Sequence, residues 1–474
     1  MFFSHLCKSE NPKIMTLIKS ISGIRGTIGG KPGECLSPVD IVKFAAAFGT
    51  WIQTRHKRSG LKVIVGRDAR KSGSMVNSLV ITTLRSLGIS VVDLGMATTP
   101  TVEMAVTGTH SDGGIIITAS HNPAEWNALK LLNEKGEFLS SNDGMEVLGI
   151  AASEDFNFIS HDLTGSLEQD DSWGERHIDL ILALKLVDTK AIRAAEFTVA
   201  IDCINSVGGI ILPQLLKSLG VKKVIGLNTT PDGNFAHNPE PLPENLKGIS
   251  DFVINEKADL GFVVDPDVDR LAIVCEDGKM FGEEYTLVSV SDYILKNTPG
   301  NTVSNLSSTK ALKDITESYG CKHFSASVGE VNVVEEMKKR GAVIGGEGNG
   351  GVIYPELHYG RDALAGIALF LSHLAKSKMS CSALRKIYPD YVIAKKKLTL
   401  DPAVDFIQII NAVKDSFKGH LMDERDGLWV GDPNGWVQIR KSNTEPIMRI
   451  YAEGRTNDEA NTLADKVIGI VKRN

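Results

Sequence analysis

The run Thr118-Ala119-Ser120-His121-Asn122-Pro123 sets a serine hydroxyl and an imidazole directly after the apolar stretch Gly113 to Ile117. That stretch reads as a buried strand, and Asn122-Pro123 ends it in a turn. Ligand sites gather beyond strand ends in α/β sheets. A serine hydroxyl is a weak nucleophile at neutral pH and needs a base, a metal or an activated group already attached. His121 is not assigned as that base from spacing, because adjacent strand residues face opposite sides. Lys130, ten positions on, is close enough in sequence to share the site.

Three later stretches carry further chemistry. Asp265-Pro266-Asp267-Val268-Asp269-Arg270 follows the apolar run Leu260 to Val264. In an extended backbone positions i, i+2 and i+4 share a face, so three carboxylates converge on one point. Unpaired, they repel one another; a divalent cation resolves this, and all-oxygen ligation favours Mg²⁺. The spacing lacks the later bidentate glutamate of an EF-hand. Gly345-Gly346-Glu347-Gly348-Asn349-Gly350-Gly351 contains G-x-G-x-x-G, but Val352-Ile353-Tyr354-Pro355 continues as strand and turn. A dinucleotide loop would open a helix there. Glu347 and Asn349 are instead a polar pair on a flexible loop, suited to sugar hydroxyls. Arg440-Lys441-Ser442-Asn443-Thr444-Glu445-Pro446 joins two strands and collects a guanidinium, hydroxyls and an amide, a phosphate cradle by composition, with Arg449 just beyond to add charge.

The elements that must position these groups follow from pattern. Ser22-Gly23-Ile24-Arg25-Gly26-Thr27 reads as a loop from which Arg25 can reach an anion. Ser37-Pro38 starts a helix running to about Arg55, with Ile41, Phe44, Ala45, Phe48 and Trp51 on one face. A strand–helix–glycine–strand unit then occurs three times, its helices ending at Leu87-Gly88, Leu219-Gly220 and Tyr319-Gly320. The intervals are domain-sized. After Tyr388-Pro389 come strands (Val392 to Leu400), a helix (Val404 to Phe417), strands (Gly435 to Arg440, Ile447 to Ala452) and a closing helix, Asp458 to Lys472. The fold class expected is α/β: three related α/β domains with mixed sheets between helices, then a smaller C-terminal α+β domain.

The chain has 474 residues, 42% hydrophobic and 23% charged, enough for three or four domains with sizeable cores. Its net charge of −6 argues against a nucleic-acid partner. No apolar run is long enough to span a membrane, and Met1 to Lys13 lacks the apolar core of a signal peptide. Six scattered cysteines without a C-x-x-C pair fit reduced thiols in a cytoplasmic protein. Residues 1–14 read as a loose tail, with Met15 an alternative start.

In order and content, the Ser120, Asp265 to Arg270, Glu347 and Arg440 to Pro446 stretches resemble the α-D-phosphohexomutases, from about Ile18 to the C-terminus. The resemblance implies four domains arranged around a central cleft, one motif each: residues 15–165, 166–278, 279–385 and 386–474. It implies that Ser120 carries a phosphoryl group, and that Asp265, Asp267 and Asp269 hold Mg²⁺ with a phosphoserine oxygen. It places Arg25, His121, Lys130 and Arg270 at the transfer point, with Lys130 a candidate for proton transfer. Glu347 and Asn349 would bind sugar hydroxyls; Arg440, Ser442, Asn443 and Thr444 would grip the phosphate not being transferred. Several relatives have a histidine where Gly351 stands, and His358 is the candidate replacement. The implied reaction interconverts hexose 6-phosphate and hexose 1-phosphate, activated by hexose 1,6-bisphosphate, in a monomer or homodimer. Overall similarity is greatest to bacterial phosphoglucosamine mutases, with phosphomannomutase/phosphoglucomutase the alternative. Two other readings stay open: a Mg²⁺-dependent aspartyl phosphatase and a sugar-phosphate binding protein.

Overall fold

The structure is a computed structural model, and it describes residues 15–20, 23–399, 405–441 and 447–473. Residues 1–14, Ser22, Ser442, Asn443 and Thr444, all singled out above, lie outside the described residues.

Four sheets follow one another along the chain. The first has seven strands, in the spatial order Ile18–Ser20, Gly23–Thr27, Trp126–Leu132, Gly113–Ile117, Lys62–Arg67, Ser90–Met96 and Leu167–Gln169. The second is ordered Leu271–Cys275, Leu260–Val264, Thr198–Asp202, Lys223–Leu227; the third, His323–Ala326, Thr302–Asn305, Ile344–Glu347, Gly351–Ile353. Parallel pairing dominates their centres. The fourth is a five-stranded antiparallel sheet, Val392–Thr399, Ile447–Gly454, Trp436–Lys441, Leu428–Gly431, Leu421–Asp423. The architecture is that expected, α/β units followed by an antiparallel sheet with helices.

One device recurs in all four. A strand ends, a short loop turns, and the next strand returns antiparallel beside it: Gly113–Ile117 with Trp126–Leu132, Leu260–Val264 with Leu271–Cys275, Ile344–Glu347 with Gly351–Ile353, and Trp436–Lys441 with Ile447–Gly454. The four chemical motifs are these four loops. In the first three sheets the strand entering the loop is buried at every position. Burial on both faces explains why these runs read as continuous apolar or glycine stretches rather than alternating ones.

Local sequence rules hold well. Ser37 and Asp40 form a reciprocal capping box at the start of helix Pro38–His56, whose expected apolar face is buried. Gly88, Gly220 and Gly320 have φ of 81°, 91° and 70°, the left-handed conformation that stops a helix. Pattern reading placed Arg25 in a loop, whereas it lies on strand Gly23–Thr27, paired with Trp126–Leu132. That strand lies between two partners, the short preceding strand Ile18–Ser20 and the distant Trp126–Leu132, and its glycine-rich composition hides it from local pattern. Gly23 sits at φ 116°, where a Cβ would lie 2.5 Å from the Leu129 carbonyl oxygen. The strands Leu421–Asp423 and Leu428–Gly431 also escaped sequence reading, being short and irregular in pattern.

The second and third units share one apolar core. Phe262 of the second sheet meets Phe370 of helix Ala363–Ser377, which also packs on Phe281. Their loops are therefore held in one rigid frame.

Candidate active site

Ser120 is buried and has φ 47°, so it belongs to a left-handed turn rather than to the strand before it. That conformation is costly for a residue with a Cβ and must be held from outside. Arg70 holds it. Its guanidinium, fully buried, donates to the carbonyl oxygens of Ser120 (2.6 Å), Asn122 (2.7 Å), Pro123 (2.6 Å) and Trp126 (3.0 Å). Asp68 balances Arg70 at 3.0 Å and accepts from Thr118 Oγ1 at 2.6 Å, while Ser120 N–H donates to that same hydroxyl at 3.0 Å. Because Ser120 is in a turn, strand alternation does not separate it from His121: Ser120 Oγ lies 3.4 Å from His121 Nδ1.

The carboxylate loop converges by a different geometry from the extended one expected. Val268 has φ 62° and its N–H donates to the Asp265 carbonyl, so Asp265 to Arg270 is wound as a turn. Backbone N–H groups of Asp269 and Arg270 both donate to Asp265 Oδ1 at 3.2 Å. A run of polar groups at a strand end is better satisfied by curling onto its own carboxylate than by staying extended. The three carboxylates still meet: one oxygen from each of Asp265, Asp267 and Asp269 lies within 4.8 Å of the others, and all three residues are wholly buried.

These residues fit a divalent cation. Among the described residues, Asp267 Oδ1 and Asp269 Oδ1 are buried oxygens with no hydrogen-bond partner. Burial and the mutual repulsion of the three carboxylates push Asp265 well up, which a cation among them would relieve. Ser120 Oγ donates to Asp265 Oδ2 at 2.8 Å, adding a fourth oxygen, and an all-oxygen set suits a hard cation.

Cations of the chain surround this centre. Lys130 donates to Asp267 Oδ2 at 2.7 Å and lies 3.6 Å from Asp269 Oδ2. Burial pulls its ammonium down, but the two aspartates outweigh that and the net shift is upward. Thr99 Oγ1 donates to the same Asp267 oxygen at 2.6 Å. Arg25 is pushed down by burial and by Arg270 beside it; His121 is held well down by Arg270 and then by burial, so its imidazole is neutral. Two guanidiniums packed together, with Arg270 Nε buried and without a hydrogen-bond partner, describe an anion pocket.

Glu347 is not loosely displayed, as its glycine-rich surroundings imply. It ends strand Ile344–Glu347, buried, and accepts from Asn305 Nδ2 (2.8 Å), Gly329 N–H (3.1 Å) and Arg361 Nη1 (2.7 Å). Burial pushes its carboxyl up, but Arg361 and the hydrogen bonds outweigh this and the net shift is downward. Asn349 Oδ1 accepts from Gly351 N–H at 3.2 Å, within its own turn. In the last unit, Arg440 and Arg449 are directly opposed across paired strands flanking the fourth loop. Arg440 Nε donates to Asp426 at 2.9 Å; Arg449 Nε is buried without a hydrogen-bond partner. Opposed like charges destabilise a strand pair unless an anion lies between them.

Sequence reading missed Asp68, Arg70, Thr99, Asn305 and Arg361. Asp68-x-Arg70 had a readable signal, since it follows strand Lys62–Arg67 directly. Arg361 had none: its partners lie 92 and 14 residues away.

His358, the candidate replacement for a histidine at Gly351, is paired with two carboxylates. Its Nε2 lies 3.3 Å from Asp362 Oδ2 and its Nδ1 3.3 Å from Glu103 Oε2. Asp362 Oδ2 also takes His177 Nε2 at 2.9 Å, and His177 Nδ1 meets Thr101 Oγ1 at 3.0 Å. The chain Thr101–His177–Asp362–His358–Glu103 ties the first three units together. Burial pulls the His358 imidazolium down, but Asp362 and Glu103 outweigh it and raise it from 6.5 to about 10. A raised imidazolium stabilises fully below about pH 6.5, and its contribution is lost as pH rises towards 10. Thermal stability should therefore fall between pH 7 and about 10 more steeply in the wild type than in His358→Gln; parallel curves would contradict it.

The chain matches four family models in series: phosphoglucomutase/phosphomannomutase alpha/beta/alpha domain I (residues 17–158), domain II (175–278) and domain III (282–391), and the phosphoglucomutase/phosphomannomutase C-terminal domain (397–470). It is 36% identical to a phosphoglucomutase/phosphomannomutase of Thermococcus kodakarensis, across 92% of this chain and 95% of that one. It is 32% identical to a probable phosphoglucosamine mutase of Methanopyrus kandleri, across 95% and 97% respectively. A solved phosphoglucomutase/phosphomannomutase family protein from Burkholderia thailandensis superposes with a TM-score of 0.83 at 27% identity, covering 97% of each chain. Among the described residues no helix is long and apolar enough to cross a membrane.

Proposed function

The chain belongs to the phosphoglucomutase/phosphomannomutase family and is a hexose phosphate mutase, and we propose that it works through a phosphoserine at Ser120 and a bisphosphorylated sugar. The observation that carries this reading is the Ser120 hydroxyl, 2.8 Å from Asp265 and inside the carboxylate triad. Asp265, Asp267 and Asp269, with a phosphoserine oxygen, are the proposed ligands of Mg²⁺, which supplies charge neutralisation at the transferring phosphoryl group.

The residues then divide the work. Arg70 fixes the Ser120 turn, so the phosphoryl donor is presented in one orientation. Arg25 and Arg270 neutralise the equatorial oxygens. The free hydroxyl of the sugar attacks phosphorus; the bond from phosphorus to Ser120 Oγ breaks, and the hydroxyl proton ends on Ser120 Oγ. Lys130, an ammonium beside Asp267, is the proposed relay: it gives its proton to Ser120 Oγ as that bond breaks and, then neutral, takes the proton of the attacking hydroxyl, with the reverse order on return. Glu347 and Asn349 hold ring hydroxyls, and the Arg440–Arg449 pair, with the loop between them, holds the distal phosphate. After the bisphosphate reverses, its other phosphoryl returns to Ser120. Hexose 1,6-bisphosphate is the proposed activator because it charges an unphosphorylated serine.

Glucosamine 6-phosphate is the proposed substrate. An ionised Glu347 accepts from a hydroxyl and more strongly from an ammonium, which supports the amino sugar, while the identity to a relative named phosphoglucomutase/phosphomannomutase supports glucose or mannose phosphate as the second reading. Initial rates on the 6-phosphates of glucosamine, glucose and mannose, with Mg²⁺ and catalytic bisphosphate, separate the two. Absence of turnover on all three would overturn the mutase mechanism.

The distal clamp makes its own prediction. Arg449→Ala should raise KM for the sugar phosphate about 10- to 100-fold with a smaller fall in kcat, since a charge-assisted hydrogen bond is worth roughly 1.5–3 kcal/mol. An unchanged KM would remove Arg449 from the clamp.

A further inference from the structure

Arg361 joins two loops that have different tasks. Its Nη2 donates to Asp269 Oδ2 at 2.6 Å, in the carboxylate loop, and its Nη1 to Glu347 Oε2 at 2.7 Å, in the sugar loop. Glu330 completes the surround, with Oε2 3.0 Å from Arg361 Nε and Oε1 accepting the Arg361 backbone N–H at 3.0 Å. The side chain is only 9% exposed. It is also trapped sterically: a Cβ at Gly351 would lie 2.3 Å from Arg361 Cδ, so the glycine leaves the corridor the side chain runs through. A planar fork with one arm on each loop is a geometry only arginine provides.

The charge balance of this bridge has a consequence. Asp269 is one of the proposed cation ligands, and Arg361 competes for its charge. Glu347 draws on the same guanidinium and weakens that competition. We infer that Arg361 couples the two loops energetically, so that the state of Glu347 sets how strongly the aspartate triad holds a divalent cation, and cation occupancy in turn sets how Glu347 meets the sugar. Arg361 is thus a positioning residue, acting through Asp269 and Glu347 rather than on the reacting atoms. Reciprocity follows from linkage: whatever factor sugar contact at Glu347 applies to cation affinity, the cation applies to sugar affinity. The inference rests on the proposed roles of the triad and Glu347, but not on turnover.

The test is a double-mutant cycle read as Mg²⁺ affinity by titration calorimetry, with no sugar present. Glu347→Gln should weaken Mg²⁺ binding about fivefold, because the guanidinium, now shared by Asp269 and Glu330 alone, draws more strongly on Asp269. Arg361→Met should tighten it. In the Arg361→Met background, Glu347→Gln should change the affinity less than twofold. Where Arg361→Met fails to fold, Arg361→Lys serves, since an ammonium reaches one carboxylate at a time and should likewise cut the Glu347→Gln effect below twofold. An equal effect of Glu347→Gln with and without Arg361, or none in the wild-type background, would overturn the coupling. Failure of the phosphoserine mechanism shows separately, as absence of phosphate on Ser120 by intact mass, and leaves the binding cycle readable.

Discussion

Ser120→Ala should abolish mutase turnover, with kcat falling at least about 10⁴-fold, as removal of a nucleophile that acts with its surroundings as one unit does. The hydroxyl is the only part of the turn that the substitution removes. Arg70 binds the Ser120 carbonyl oxygen rather than its side chain, and Thr118 Oγ1 receives the Ser120 backbone N–H, so the loop has no reason to collapse. The left-handed φ of 47° is as accessible to alanine as to serine. The variant should melt close to the wild type and still bind sugar phosphate, while intact-mass measurement shows no added phosphate after incubation with hexose 1,6-bisphosphate. Wild-type-like turnover in this variant would sink the phosphoserine mechanism and favour an aspartyl phosphatase.

Asp267→Asn should lower kcat about 10²- to 10³-fold and raise the Mg²⁺ concentration for half-maximal activity at least about tenfold, the scale seen when one group stabilising transition-state charge is removed. Asp267 has two separate duties. Its Oδ1 is a buried oxygen without a hydrogen-bond partner, free for a cation; its Oδ2 accepts from Lys130 and Thr99. An amide keeps one acceptor oxygen but loses the charge, so it can serve only one of these duties. Lys130 then loses its nearest counter-charge while remaining buried, which lowers its hold on its proton. The pH profile should accordingly shift on the side governed by Lys130, as well as falling in height. A rate loss fully restored by excess Mg²⁺, with an unchanged pH profile, would assign Asp267 to cation binding alone.

Geometry also bears on the binding-protein alternative. Ser120 donates to Asp265 of the aspartate triad, and Lys130 is paired with Asp267 of the same triad, an arrangement that the proposed distal arginines and sugar loop would not need for binding alone. A buried, repelling carboxylate cluster is expensive to maintain, and recognition of an anionic ligand does not require it.

What the sequence by itself determined was local. Residues that break or end an element announce themselves through their own backbone preferences. Ser37-Pro38 opened the first helix, Gly88, Gly220 and Gly320 stopped three others, and Asn122-Pro123 closed the strand before Ser120. Three of the four chemical loops were visible because each follows a run buried on both faces, which shows as a continuous apolar or glycine stretch. The tertiary structure decided how those loops meet. The carboxylates converge through a turn wound on Asp265, not through strand alternation, and Ser120 reaches His121 because it is left-handed. Arg25 is a strand residue through pairing with Ile18 on one side and the distant Ala128 on the other. Arg361 and His177 carry no local signature, because each is buried beside a charged partner that only folding supplies: Asp269 lies 92 residues from Arg361, and Asp362 lies 185 residues from His177. Their identity follows from which surfaces folding brings together, a property of the assembled chain and not of any stretch within it.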